Sequence, residues 1–129
     1  METHLRAALI DHLRADPEIA SALNIVDEAE IERTSPPWLA LVASASADWS
    51  TKTCAGREVR VALELRLHGD DPATGGQTAE KVDARALSLP PGQGGFQVVS
   101  AIFLRGRAER RERNARALLR EYRFRLIET

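Results

Sequence analysis

Cysteine is nearly absent from this chain of 129 residues: Cys54 is the single thiol. An internal disulfide and a cysteine-based zinc cluster are therefore excluded. No apolar run approaches the roughly 18 residues that a membrane span needs, so no membrane partner is expected. The first residues, Met1–Leu13, carry charge throughout and lack an apolar core segment, so no secretory signal is expected and the chain is expected to be made and kept in the cytoplasm. Net charge is also scarce, at −1. That balance argues against a protein that binds nucleic acid over its whole surface.

What remains is an ordinary globular composition, 43% hydrophobic and 29% charged. The length suits one domain spanning 1–129, long enough to bury a core without disulfides or metal. The charge is unevenly spread. Residues 1–35 hold eight acids against three arginines, whereas Arg105 to Arg125 holds nine arginines and three glutamates. A molecule with an acidic end and a basic end can attract copies of itself head to side; solvated faces explain the pattern equally well.

Apolar spacing predicts an amphipathic helix over Thr3–Ala15, with Leu5, Ala8, Leu9, His12 and Leu13 on one face and Thr3 as its N-cap. Asp16-Pro17 ends it, and Pro17 opens a short turn over Glu18–Leu23. Alternating acids predict a short exposed edge strand over Ile25–Arg33. Trp38–Ser46 is apolar on both faces, the pattern of a covered central strand. Asp48–Gly56 is polar and turn-like. Arg57–His68 alternates cleanly, with Val59, Val61, Leu63, Leu65 and Leu67 toward the core. Gly69–Pro72 stops it, and a loop through Gly75-Gly76 leads to a helix over Gln77–Leu87 that buries Ala79, Val82 and Ala86. After a second loop, Leu89–Gly95, strands over Gln97–Arg105 and Ala115–Glu128 form a long C-terminal hairpin. Val99, Ala101 and Phe103 share one face of its first strand. Leu118, Tyr122, Phe124 and Leu126 share the core face of its second, with Arg120 the odd member. The fold class expected is α+β: a two-layer sandwich of a mostly antiparallel sheet of four to five strands with helices on one face.

Chemistry-bearing constellations are few. His68 beside Asp70 and Asp71 is the best metal-like cluster, but one histidine in a Gly/Pro turn is more often a solvated turn. Cys54 has no identifiable base. Gly75-Gly76 and Gly92–Gly95 lack the strand-to-helix phosphate signature with its lysine and more simply supply positive-φ turns. Neither a catalytic group, a metal nor a cofactor is expected. Trp49, in a polar loop, reads as an interface anchor or as a ring capping the local core. The strongest feature is the hairpin tip, Gly106–Asn114 (GRAERRERN). Its arginines suit phosphate, yet the tip lacks the aromatics on which single-strand binders stack bases, and Glu109 and Glu112 interrupt its field. Arginine forks also pair well with carboxylates at assembly interfaces. Arg105, Arg107, Arg110, Arg111, Arg113 and Arg116, with Trp49, are thus candidates for a subunit or partner contact by a projecting β-arm, and Asp27, Glu28, Glu30 and Glu32 for its acidic complement. A small nucleic-acid-binding module using the same hairpin is the alternative.

Five stretches in order carry a family resemblance over nearly the whole chain: LRAALIDHLRADPEI (5–19), PPWLALV (36–42), DWSTKTCAGREVRVALELRLHG (48–69), AEKVDARAL (79–87) and GRAERRERNARALLREYRFRLIE (106–128). Together they resemble the tail completion, or tail terminator, proteins of long-tailed phages and of gene transfer agents, also called tail-to-head joining proteins. The Trp-Ser turn followed by glycine and an alternating strand is the most recognisable part. The Arg123-Phe124-Arg125 pattern resembles the terminal strand of the family. The resemblance implies a structural protein, not an enzyme, that forms a hexameric ring at the neck of the particle. The ring would cap the head-proximal end of the tail tube, stop its polymerisation and meet the head-tail connector or stopper protein, with DNA passing nearby. Family members often carry Asp and Gly in the hairpin turn where this chain has ERRERN (109–114). The contact of the tip, whether tube, neighbouring subunit or DNA, stays open.

Overall fold

A computed structural model of the chain describes residues 1–28, 31 and 33–129. Its elements, in order, are α1 (Glu2–Arg14), α2 (Pro17–Ala22), β1 (Val26–Asp27), β2 (Trp38–Asp48), β3 (Gly56–His68), α3 (Pro72–Leu87), β4 (Phe96–Arg111) and β5 (Ala115–Glu128). The five strands form one open sheet in the order β1-β2-β3-β5-β4. Only β1 is parallel to its neighbour; the rest pair antiparallel. The expected α+β class, with helices on one face and a C-terminal hairpin, is what the chain adopts.

The core lies between the helices and one face of this sheet. Leu5, Leu9, Ile10 and Leu13 of α1, Ile19 of α2 and Ala79, Val82 and Ala86 of α3 meet Val59, Val61, Leu63 and Leu65 of β3 and Tyr122, Phe124 and Leu126 of β5. Alternation on β3 and β5 therefore placed both central strands on the correct face. Arg120, the odd member of that face, points its guanidinium at Asp83 of α3 (Nε to Oδ1, 3.0 Å), and Tyr122 donates its hydroxyl to the same carboxylate at 2.5 Å. Burial, then the hydrogen bond to Asp83, drives the Tyr122 phenol well above its ordinary pKa. The carboxylate is thus the polar partner that lets a tyrosine and an arginine sit under α3.

Several local expectations need correction. Helix α1 begins one residue early, with Met1 as N-cap and no side-chain cap, so Thr3 is inside the helix. Asp16 caps α2, accepting from the backbone N–H groups of Glu18 and Ile19. Of the expected strand over 25–33, the described residues form strand only at Val26–Asp27; Ala29, Glu30 and Glu32 lie outside the described residues. Strand β2 is covered only over Trp38–Leu41 and exposed from Val42 to Asp48, because β1 flanks only Leu39 and Ala40. Its alanines and serines were apolar or small enough to read as core but face solvent. Helix α3 starts five residues early: Asp71 accepts from the Thr74 N–H, and Pro72 occupies its first turn. Gly75 lies inside this helix, against Leu67, where a Cβ would approach Leu67 Cδ1 to 2.4 Å. Gly75 therefore serves helix packing, whereas a Cβ on Gly76 would meet nothing; Gly94 (φ 63°) and Gly95 (φ 133°) do supply positive-φ turns.

The hairpin also differs. Strand β4 runs on through the arginines to Arg111, leaving a turn of only Glu112–Asn114, with Arg113 and Asn114 left-handed (φ 59° and 57°). Strand β3 is paired with β5 along its whole length, ending at His68 opposite Ala115. The Gly69 N–H then donates to Asn114 O at 2.7 Å. The turn is docked level with the end of β3, so the expected projecting arm is not formed. Two bulges in β4, between Val98 and Ser100 and between Phe103 and Arg105, break the simple alternation, because each extra residue resets the faces. Ala101 and Phe103 stay opposite Phe124 and Tyr122, but Val99 does not share their register.

Candidate assembly interface

The helix-free face of the sheet is where the charged residues gather. Cross-strand register puts Glu58, Arg60, Ala62, Glu64 and Arg66 of β3 beside Arg125, Arg123, Glu121, Leu119 and Ala117 of β5. The same register brings Ser100, Ile102, Arg105, Arg107, Glu109 and Arg111 of β4 to that face. The side chains form an alternating lattice. Glu58 lies 3.3 Å from Arg123 and 3.4 Å from Arg125. Glu121 takes Arg105 at 2.5 Å. Glu109 takes Arg107 at 2.7 Å and Arg111 at 2.6 Å. Glu64, only 7% exposed, is held by Arg66 (Nε, 2.8 Å) and Arg111 (3.3 Å). Hydrogen bonds from Arg111 and Arg105 hold the carboxyl groups of Glu109 and Glu121 below the usual carboxylate range, and the partner arginines are raised in turn.

The candidate residues therefore divide. Arg105, Arg107 and Arg111 are committed to glutamates of their own sheet. Arg110, Arg113 and Arg116 make no ion pair among the described residues. Arg110 and Arg116 sit directly opposite one another across β4 and β5, and like charges in that position repel. Trp49 is remote from them. It lies in the β2–β3 loop beside Gly56, and the Arg125 guanidinium covers its ring at 5.4 Å. Gly56 and His68 mark opposite ends of β3, so Trp49 and the hairpin turn are about 40 Å apart at a strand rise of ~3.3 Å per residue. Trp49 is half-buried, consistent with a ring closing the local structure as much as with an anchor.

The described acidic candidates, Asp27 and Glu28, lie at the opposite edge of the sheet from β4. Glu28 pairs with Arg6 at 2.7 Å and Asp27 with Arg14 at 3.5 Å. Both are partly neutralised by arginines of α1. Asp71 is occupied as the α3 cap, and Cys54 is half-buried with its thiol directed at Glu128 O (3.3 Å). The sequence reading missed Glu58, Glu64 and Glu121 as partners of the arginines. The signal was present in the β3 and β5 patterns, but it needs the strand register to be seen.

Comparison with known proteins gives this geometry a context. Among curated proteins, none matched. Among solved structures, a chain of the "Virion of native gene transfer agent (GTA) particle" matches with a TM-score of 0.78 and 26% identity, covering 97% of this chain and 95% of that one. The family model for the tail completion protein gp17 matches residues 7–128. The chain belongs to the tail completion protein gp17 family, structural proteins of phage tails.

Proposed function

We propose that this protein is the tail terminator of a phage or gene transfer agent particle. Six copies close into a ring at the head-proximal end of the tail tube. The ring ends tube polymerisation on one side and meets the head-tail connector or stopper protein on the other, at the neck of the particle. One observation carries this reading: the family match spans residues 7–128, and the similar chain in a gene transfer agent virion follows the same fold over 97% of the sequence. The function is geometric. Ring closure fixes a diameter, and two unlike surfaces bind two unlike partners. Nothing in it calls for a nucleophile or a cofactor.

The chain supports such a ring physically. Acidic residues on the β1 side and arginines on the β4 side give one subunit two different edges, as a head-to-tail contact requires. Native mass spectrometry of the purified chain is expected to give a hexamer. A strict monomer at tens of micromolar, together with absence of the chain from purified particles, would contradict the proposal.

A second reading is favoured by one observation: Arg110, Arg113 and Arg116, at and beside the hairpin turn, make no ion pair among the described residues. These three could contact phosphates of DNA in the channel. Binding would then weaken steeply with salt and would be lost in Arg110→Glu/Arg116→Glu. Retained, salt-insensitive binding in that variant would remove the turn from consideration.

A further inference from the structure

Strands β2 and β4 are each covered on their outer side by their own chain at one end only. On β2, the Asn24 N–H donates to Pro37 O and the Leu39 N–H to Ile25 O. Beyond Leu41 nothing among the described residues pairs with its outer edge. On β4, the Val98 N–H donates to Pro91 O, and Gln93 donates to Phe96 O. From Val99 onward that edge is likewise unpaired among the described residues. Open edges invite pairing with another chain.

Exposed apolar side chains fall on the same two segments. Among the described residues five large hydrophobics are exposed, and four lie on these strands: Val42 (50%) on β2, and Val99 (49%), Ile102 (38%) and Phe103 (39%) on β4. Scattered singly they would need no explanation. Here three of them lie within five residues of one edge, and the fourth lies on the other.

The rows of the sheet then relate the two edges. Ala43 continues through Ala62 and Glu121 to Arg105, Ala45 through Arg60 and Arg123 to Ile102, and Asp48 through Arg57 and Leu126 to Val98. The open segment of β2 and the apolar segment of β4 therefore stand at the same height. Strands alternate in direction from β2 to β4, so these two edges run antiparallel. A rotation about an axis along the strands preserves both height and direction. It brings β4 of one copy alongside β2 of the next in an antiparallel sense. The small side chains of Ala43, Ala45 and Ala47 leave room there for Ile102 and for the stem of Arg105.

We infer that the partner of these edges is a second copy of the chain, with Val99–Arg105 of one subunit packed along Val42–Asp48 of the next. The inference rests on the ring proposed above and names its contact. It makes the interface heterologous, so that it propagates in one direction around the ring. It also places the arginine–glutamate lattice on one continuous face, whose hollow of about 520 Å³ is lined by Ala43, Ala45, Ala62, Arg60, Arg105 and Glu121.

The test joins the edges covalently. In a Cys54→Ser background, Ala45→Cys is combined in turn with Ser100→Cys, Ile102→Cys and Arg105→Cys, and the full chain is oxidised. At least one pair is expected to give a ladder of covalent oligomers ending at a closed ring, because facing strand residues fall within disulfide reach. Ala45→Cys alone should give no ladder. Val99→Asp, at an exposed position, should raise the protomer concentration needed for assembly at least tenfold with an unchanged circular dichroism spectrum. If the parent chain forms rings while no pair cross-links and Val99→Asp assembles normally, the edge contact is wrong and the ring stands. If the parent chain is monomeric at all concentrations and absent from purified particles, both fall.

Discussion

Removing the carboxylate of Asp83 is expected to destabilise the fold by stranding a buried hydroxyl. Asp83 accepts the Tyr122 hydroxyl at 2.5 Å and the Arg120 guanidinium at 3.0 Å. Tyr122 is fully buried, so in Asp83→Ala its hydroxyl loses its partner without gaining water. A stranded buried polar group costs about 1–3 kcal/mol. Arg120, whose side chain is 21% exposed, loses its counter-charge but keeps the Phe103 ring at 4.6 Å and some solvent. That adds ~1 kcal/mol, for a total of about 2–4 kcal/mol. Tyr122→Phe removes the hydroxyl and costs about 1 kcal/mol by itself. With no hydroxyl left to strand, Asp83→Ala then costs less, and the two changes should couple by ~1–2 kcal/mol. Urea unfolding followed by circular dichroism, at one fixed protomer concentration, measures all four corners of the cycle. Additivity within about 0.5 kcal/mol would refute the reasoning, because it would mean that the hydroxyl and the carboxylate do not share a bond that matters.

Phe124→Ala should destabilise by about 3–5 kcal/mol, and a loss below about 1 kcal/mol would place Phe124 on the other face of β5. Gly56→Ala should cost ~1–3 kcal/mol in the same assay, since its Cβ would approach Trp49 O to 2.4 Å; an unchanged midpoint would mean that the β2–β3 loop gives way freely. Burial lowers the pKa of His12, which stands 3.0 Å from Ser88 Oγ. The unfolded chain therefore binds the proton more readily, so this contribution is full above about pH 6.5 and declines as pH falls toward the folded pKa. His12→Gln should flatten that limb of the stability–pH curve, and an unchanged slope would exclude His12 as its source.

The sequence disclosed the fold where one residue period dominated. Strands β3 and β5 alternate without interruption, and both were placed on their correct faces, including the odd Arg120. It misled where a local device overrode the period. The bulges of β4 shift its faces without any glycine or proline to announce them. Helix α3 begins at Asp71-Pro72, a cap that also reads as a turn because glycines follow. The alanine- and serine-rich half of β2 suggested a covered strand, since small side chains carry no polarity pattern. The arginines of β4 were visible as a cluster, but not their commitment. Glu58, Glu64 and Glu121 lie far away in sequence, and only strand register shows that Arg105, Arg107 and Arg111 are held within the sheet while Arg110, Arg113 and Arg116 are not. The family was legible because it rests on the order of whole elements, which these local departures leave intact.

The central claim is that this chain terminates a tail and joins it to a head. Electron microscopy of particles from cells that lack only this chain tests it most directly. The account predicts filled heads without tails and free tails of uncontrolled length, restored to normal particles when the chain is supplied again. Particles of normal tail length with heads attached, assembled in its absence, would contradict the account.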